Sequence, residues 1–126
     1  MTSQNRALIY LGSSEKDAGK LPEEVKELFS YALTIALAGG QHEDAKPFKG
    51  FNGRSVMEVV ADDRNGTFRE VYTVRFEEAI YVLHIFQKKS KKGIATPKQD
   101  MDLIKQRLKW AEALNKELYG KKKVKK

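Results

Sequence analysis

Five lysines and no acid lie between Glu78 and Asp100: Lys88, Lys89, Lys91, Lys92 and Lys98. Four of them crowd into the run Lys88-Lys89-Ser90-Lys91-Lys92. Ammonium groups this close raise one another's energy and lower their pKa values. A solvated face would interleave acids, so the missing carboxylates admit two readings. One is a site where an anionic ligand supplies the opposite charge. The other is a plain solvated loop that happens to be lysine-rich.

Arginines extend the cationic inventory. In "FREVYTVRF", Phe68 to Phe76, strand alternation sets Phe68, Tyr72, Val74 and Phe76 on one face, and Arg69, Val71, Thr73 and Arg75 on the other. Arg69 again has two readings. It can form a cross-strand pair with Glu58, worth a few tenths of a kcal/mol, or aim a guanidinium fork at a phosphate.

Other chemistries are poorly supplied. The chain has no cysteine, which removes disulfides and thiolate nucleophiles. Of its two histidines, His42 sits beside Glu43 and Asp44 without a further ligand at metal-binding spacing. His84 stands in the apolar run Tyr81 to Phe86 and reads as a hydrogen-bonded core residue. Asp62-Asp63 fits turn chemistry. There is no glycine-rich phosphate loop and no Gly-x-Ser-x-Gly elbow. No metal and no small-molecule cofactor is expected.

These side chains need a scaffold, and the pattern supplies one. Ala7 to Leu11 reads as a short strand. A helix follows from about Pro22 to Ala38, with acids Glu23 and Glu24 in its first turn and an apolar stripe of Val25, Leu28, Phe29, Ala32, Ile35 and Ala36. Gly39-Gly40 stops it. Residues 41–54 are polar, hold Pro47, Gly50 and Gly53, and read as loop. Three strands come next, about Ser55 to Ala61, Thr67 to Phe76 and Ala79 to Gln87. Arg64-Asn65-Gly66 makes the first connection a hairpin, since Asn-Gly tolerates positive φ. A second helix runs from about Pro97 to Tyr119, with Thr96 and Gln99 forming a capping box and a stripe of Met101, Ile104, Leu108, Ala111, Leu114 and Leu118. The order predicts an α+β arrangement: a mostly antiparallel sheet with helices on one face and the other face open.

At 126 residues, 40% apolar and 33% charged, the chain suits one globular domain, residues 1–120, followed by a basic tail, residues 121–126, expected to fray. No segment approaches the ~20 apolar residues of a membrane span, and the N-terminus lacks signal-peptide order. A cytoplasmic location is therefore expected. The net charge of +7 calls for an anionic partner.

The run from Phe68 to Arg107, "FREVYTVRFEEAIYVLHIFQKKSKKGIATPKQDMDLIKQR", resembles the C-terminal half of the RelE/ParE superfamily of toxins, in its phage-derived, HigB-like branch. The shared features are Arg69-x-x-Tyr72, the strand Tyr81 to Phe86, Gln87-Lys88-Lys89-Ser90, Thr96-Pro97 and a closing helix that carries Arg107. Upstream, Gly12-Ser13-Ser14 with Asp17, Leu21-Pro22-Glu23-Glu24-Val25 and Lys46-Pro47-Phe48-Lys49 are similar to the same branch, so the likeness spans about residues 7 to 110. Where the branch often has Glu-apolar-Arg, this chain has Glu58-Val59-Val60. Gly93-Ile94-Ala95 lengthens the bridge before Thr96.

The resemblance implies a compact RelE/ParE-like fold with an N-terminal helix or helical hairpin and a C-terminal helix. It implies the toxin of a type II toxin–antitoxin system: an endoribonuclease that cuts mRNA without metal, on the ribosome, and is neutralised by a helix-turn-helix antitoxin. Carried onto this chain, it gives Arg69, Lys88 and Lys89 as catalytic residues, and Glu58, Arg75, Lys91, Lys92 and Lys98 as RNA-binding neighbours. Within the superfamily, a gyrase inhibitor that does not cut RNA is the alternative, as is a degenerate RNA- or ribosome-binding module.

Overall fold

The computed structural model describes residues 6–51, 56–88 and 96–120. Lys89, Lys91, Lys92, the Gly93-Ile94-Ala95 bridge, the N-terminal five residues and the tail 121–126 lie outside the described residues.

Strand β1 (Ala7–Tyr10) leads into a short helix α1 (Ser14–Gly19) and a long helix α2 (Glu23–Leu37). Then come β2 (Ala45–Pro47), β3 (Val56–Asp63), β4 (Gly66–Thr73), β5 (Ala79–Lys88) and α3 (Lys98–Asn115). The strands form one sheet in the order β1-β5-β4-β3-β2. β1 runs parallel to β5, and all other pairs are antiparallel. The expected α+β class and antiparallel meander are therefore present. α1 and α2 make the N-terminal unit a helical hairpin, the second of the two forms that the resemblance implies. The sequence from 41 to 54 is not all loop, because Ala45–Pro47 adds an edge strand. Pro47 and the brevity of the segment hide it, since proline is tolerated only at such an edge.

The helices divide between the two faces of the sheet, which corrects the expectation of an open face. α2 buries Val25, Phe29, Ala32, Leu33 and Ala36 against Met57, Val59, Phe68, Tyr72, Ile80 and Val82. α3 buries Ile104 and Ala111 against Val56, Val71, Tyr81 and Leu83 on the opposite face. Each fully buried large aliphatic or aromatic side chain contributes about 1.5–3 kcal/mol. α3 covers only part of its face, and the end of the sheet near its first turn stays accessible as a groove.

Two expected details of α3 differ. Its N-cap is Pro97, with no side-chain cap bond, so the Thr96/Gln99 capping box does not form. Its last residues, Lys116–Gly120, relax into a π-helical turn. The wider turn shifts the phase of the apolar stripe: Leu118 is exposed, and Tyr119 packs against the core in its stead. The hairpin turn at 64–66 is present, but positive φ falls on Gly66 (+134°) and not on Asn65. The Asp63 carboxylate holds the turn by accepting from the Asn65 amide N–H at 2.7 Å.

Arg107 ties α3 to the start of the chain. It donates to the Leu83 carbonyl at 2.9 Å and lies within 3.5 Å of the Ser13 and Ser14 hydroxyls. Gly12 has φ +58°, and a Cβ there would fall 2.5 Å from an Arg107 Nη. The Gly12-Ser13-Ser14 and Arg107 features of the resemblance thus meet at one structural clasp. Gly12→Ala is expected to destabilise the fold by roughly 1–2 kcal/mol or more, from left-handed backbone strain plus displacement of the guanidinium. Urea denaturation of the variant beside the parent protein measures it, and an unchanged midpoint would refute the clasp.

One buried group stands apart from the hydrophobic pattern. Glu70 points into the α2 core between Val59 and Ile85, is 1% exposed, and its Oε1 has no hydrogen-bond partner among the described residues. Burial raises its carboxyl pKa well above the usual carboxylate range. Burial first, then the charge of Glu70, pushes Tyr72 up to about 12.

Candidate functional site

Where each cation ends up depends on one irregularity. β4 and β5 pair in regular antiparallel register until Val71 and Tyr72: Val71 faces His84, but Tyr72 faces Val82, so Leu83 is the extra residue of a bulge. Before the bulge, Ala79, Tyr81 and Leu83 point toward α3, and Ile80 and Val82 toward α2. After it, the phase reverses. Lys88 pairs with Thr67, and Phe86 with Arg69. Residues directly opposite one another share a face, so Lys88, Phe86 and His84 stand on the α3 face together with Arg69. A regular strand would have sent Lys88 to the α2 side.

The register lays this face out in rows. Lys46 on β2, Glu58 on β3, Val71 on β4 and His84 on β5 form one row. Val60, Arg69 and Phe86 form the next, and Asp62, Thr67 and Lys88 the third. A groove of about 400 Å³ opens over this corner, lined by Lys46, Phe48, Lys49, Glu58, Arg69 and Thr96, among others.

At its floor Arg69 Nη1 donates to Glu58 Oε1 at 2.7 Å. Both side chains are largely buried, at 15% and 7% exposure. The cross-strand pair that the sequence allowed is thus present, diagonally across β3 and β4. It does not exhaust the guanidinium, because the buried Arg69 Nε has no hydrogen-bond partner among the described residues. Lys88 is buried beside it. Its ammonium pKa is lowered, first by burial, then by the charge of Arg69, and to a lesser extent by Lys46, with Glu58 acting in the opposite sense. An arginine held by a carboxylate, next to a lysine that gives up its proton more readily, is an arrangement able to bind a phosphate and move a proton.

The remaining expected residues divide. Glu58 lines the groove, but its carboxylate is engaged by Arg69, so it acts on the arginine. Lys98 is exposed at the start of α3 and pairs with Asp102 at 3.1 Å. Arg75 lies beyond the far end of β4, where it pairs with Glu112 of α3 at 2.7 Å and stacks over Phe76. It belongs to a different surface from Arg69. His84 is buried as expected. Its Nε2 is joined to Asp100 at 2.7 Å, and its ring stacks on Phe86 at 4.7 Å. That bond fastens the first turn of α3 to β5 beside the groove. Among the described residues no group of three or more His, Cys, Asp and Glu side chains could hold a metal ion, and no helix is long and apolar enough to cross a membrane.

Two groove cations escaped the sequence reading of the site. Lys46 and Lys49 flank Phe48, which is buried and stacks on Phe51 at 5.6 Å. The usable signal was lysines bracketing an aromatic in a proline-containing segment.

Residues 16–109 match the family model described as "Phage derived protein Gp49-like (DUF891)". Among solved structures, a mutant of the toxin RelE from E. coli in the free state aligns with a TM-score of 0.48 and 18% identity, covering 69% of this chain and 87% of that one. No curated protein matches the chain.

Proposed function

The chain belongs to the Gp49-like family of phage-derived proteins, and on that premise we propose that it is the toxin of a type II toxin–antitoxin pair, of the HigB-like branch, acting as an endoribonuclease on mRNA. The observation that carries this reading is the Arg69–Glu58 pair at the floor of the groove, with Lys88 buried beside Arg69 on the same sheet face. The resemblance of the Phe68 to Arg107 run to RelE/ParE-superfamily toxins supports it.

RNA brings its own nucleophile, so the protein need only align the 2′-hydroxyl with the adjacent phosphate, take up its proton, stabilise the charge that develops and return a proton to the leaving 5′-oxygen. The 2′-oxygen–phosphorus bond forms as the phosphorus–5′-oxygen bond breaks, which leaves a 2′,3′-cyclic phosphate and a 5′-hydroxyl. Arg69 holds the scissile phosphate, with Glu58 fixing its orientation. Lys88 transfers protons, and its lowered pKa brings that transfer closer to neutral pH. Lys89 is assigned the companion role of charge and proton transfer. The partners in this reading are mRNA, the ribosome and a cognate helix-turn-helix antitoxin, all in the cytoplasm.

Incubating the purified protein with ribosome-bound mRNA in excess EDTA is expected to yield fragments ending in 2′,3′-cyclic phosphate. A transcript with a 2′-deoxy residue at the cut position should stay whole. Intact mRNA together with DNA damage in expressing cells would favour a gyrase inhibitor and defeat the ribonuclease reading.

A further inference from the structure

Opposite Arg69 on β3 stands Val60, which adds no charge to the floor of the groove. The nearest supply on that side is the edge strand. Lys46 sits directly across from Glu58 on β2, lines the same groove as Glu58 and Arg69, and is exposed. It forms no ion pair among the described residues. Its charge is felt at Lys88. β2 lies two strands from β4, roughly 10 Å between backbones, and the flexible four-carbon stem of a lysine closes much of such a gap. Phe48, two residues on and just past the strand, is 3% exposed and anchors this segment in the core on the α3 side. The backbone of Lys46 is therefore held, and only its side chain is free to adapt.

We propose that Lys46 is a substrate-binding cation of the groove, clamping an RNA phosphodiester together with Arg69, so that the edge strand β2 forms one wall of the RNA site. This rests on the ribonuclease reading above. The competing account is that Lys46 only guards a sheet edge against pairing with another strand. An edge guard would leave RNA affinity and its salt dependence unchanged, whereas a phosphate clamp contributes to both.

The test compares Lys46→Ala, Lys46→Gln and Lys46→Arg with Lys26→Ala, which removes the same charge on α2 across the sheet. The probes are a 2′-deoxy-substituted oligoribonucleotide that cannot be cut, titrated over a range of salt, and the cleavable RNA. Lys46→Ala and Lys46→Gln should each make the slope of log affinity against log salt shallower by about 0.7 and slow cleavage by at least about tenfold. Lys46→Arg should restore most of both, and Lys26→Ala should change neither. Far-UV circular dichroism establishes that each variant is folded, and the glutamine variant serves should the alanine variant lose its edge strand. Wild-type slope and rate in folded Lys46→Ala or Lys46→Gln, with Arg69→Ala inactive, would overturn the clamp and leave the ribonuclease reading standing. A parent protein that neither binds nor cuts RNA would overturn that reading, and the clamp with it.

Discussion

Arg69→Ala is expected to slow RNA cleavage by about 10²–10³-fold, the range for deleting one preorganised donor to a developing anion. At about 1.4 kcal/mol per decade, that is roughly 3–4 kcal/mol of transition-state stabilisation. The substitution also strands Glu58, a carboxylate only 5% exposed, without its partner. Breaking a buried pair from one side costs about 3–5 kcal/mol of stability, a large share of a typical total of about 5–15. Lost activity could then reflect lost fold. The double variant Arg69→Ala/Glu58→Gln removes the stranded charge and should recover much of the stability while remaining inactive. Arg69→Lys keeps a charge but loses the fork, and should fall between the parent and Arg69→Ala in rate. Rates on ribosome-bound mRNA, read with urea midpoints for every variant, separate the effects. A stable double variant that cuts at the parent rate would remove Arg69 from the chemistry.

The second large effect lies on the other face of the sheet. Glu70→Leu is expected to stabilise the fold at neutral pH by about 1–3 kcal/mol, the usual cost of a buried polar group lacking a partner. Because burial raises the folded-state pKa of Glu70, the folded chain retains a proton that the unfolded chain releases above about pH 4.3. The group's contribution is fully present below that value. It erodes as pH rises, by up to about 1.4 kcal/mol per unit, until the folded carboxyl itself ionises. The leucine variant lacks this descending limb, so its advantage should be small near pH 5 and wide near pH 8. Urea denaturation at several pH values gives the comparison, with Glu70→Gln as the shape-matched neutral control. An advantage that does not change with pH would mean that Glu70 ionises freely in the fold. RNA cleavage should be little affected, since α2 and the groove lie on opposite faces.

These two residues show how far the sequence could be read. Both lie on β4, and alternation correctly separated Arg69 from Phe68 and Tyr72, because period two is a property of any extended backbone. Glu70 shares the parity of Phe68 and Tyr72 but was not read as a core residue, because no rule on a single strand tells a buried acid from an exposed one. The pairing of Arg69 with Glu58 followed from the hairpin signal at Asn65-Gly66, which fixed β3 against β4. What resisted reading was non-local. The position of β2 depends on tertiary packing of Phe48, and a three-residue edge segment has too few side chains to show a period. The exposure of Leu118 depends on a helical turn of unusual width, which a 3.6-residue repeat cannot anticipate. The distribution of helices over both faces of the sheet was likewise invisible, because an apolar stripe states that a helix is buried without stating against which side.

The surplus Leu83 in β5 has an evolutionary corollary. It works as a parity bit: everything from His84 onward reports to the side of the sheet chosen by whether the count of residues in that strand is odd or even. Losing one residue there would exchange Lys88 for a core side chain on the α3 face. Gains or losses of two would preserve the assignment. Length variation among homologues in this strand should therefore come in pairs, or be matched by a compensating single change in β4.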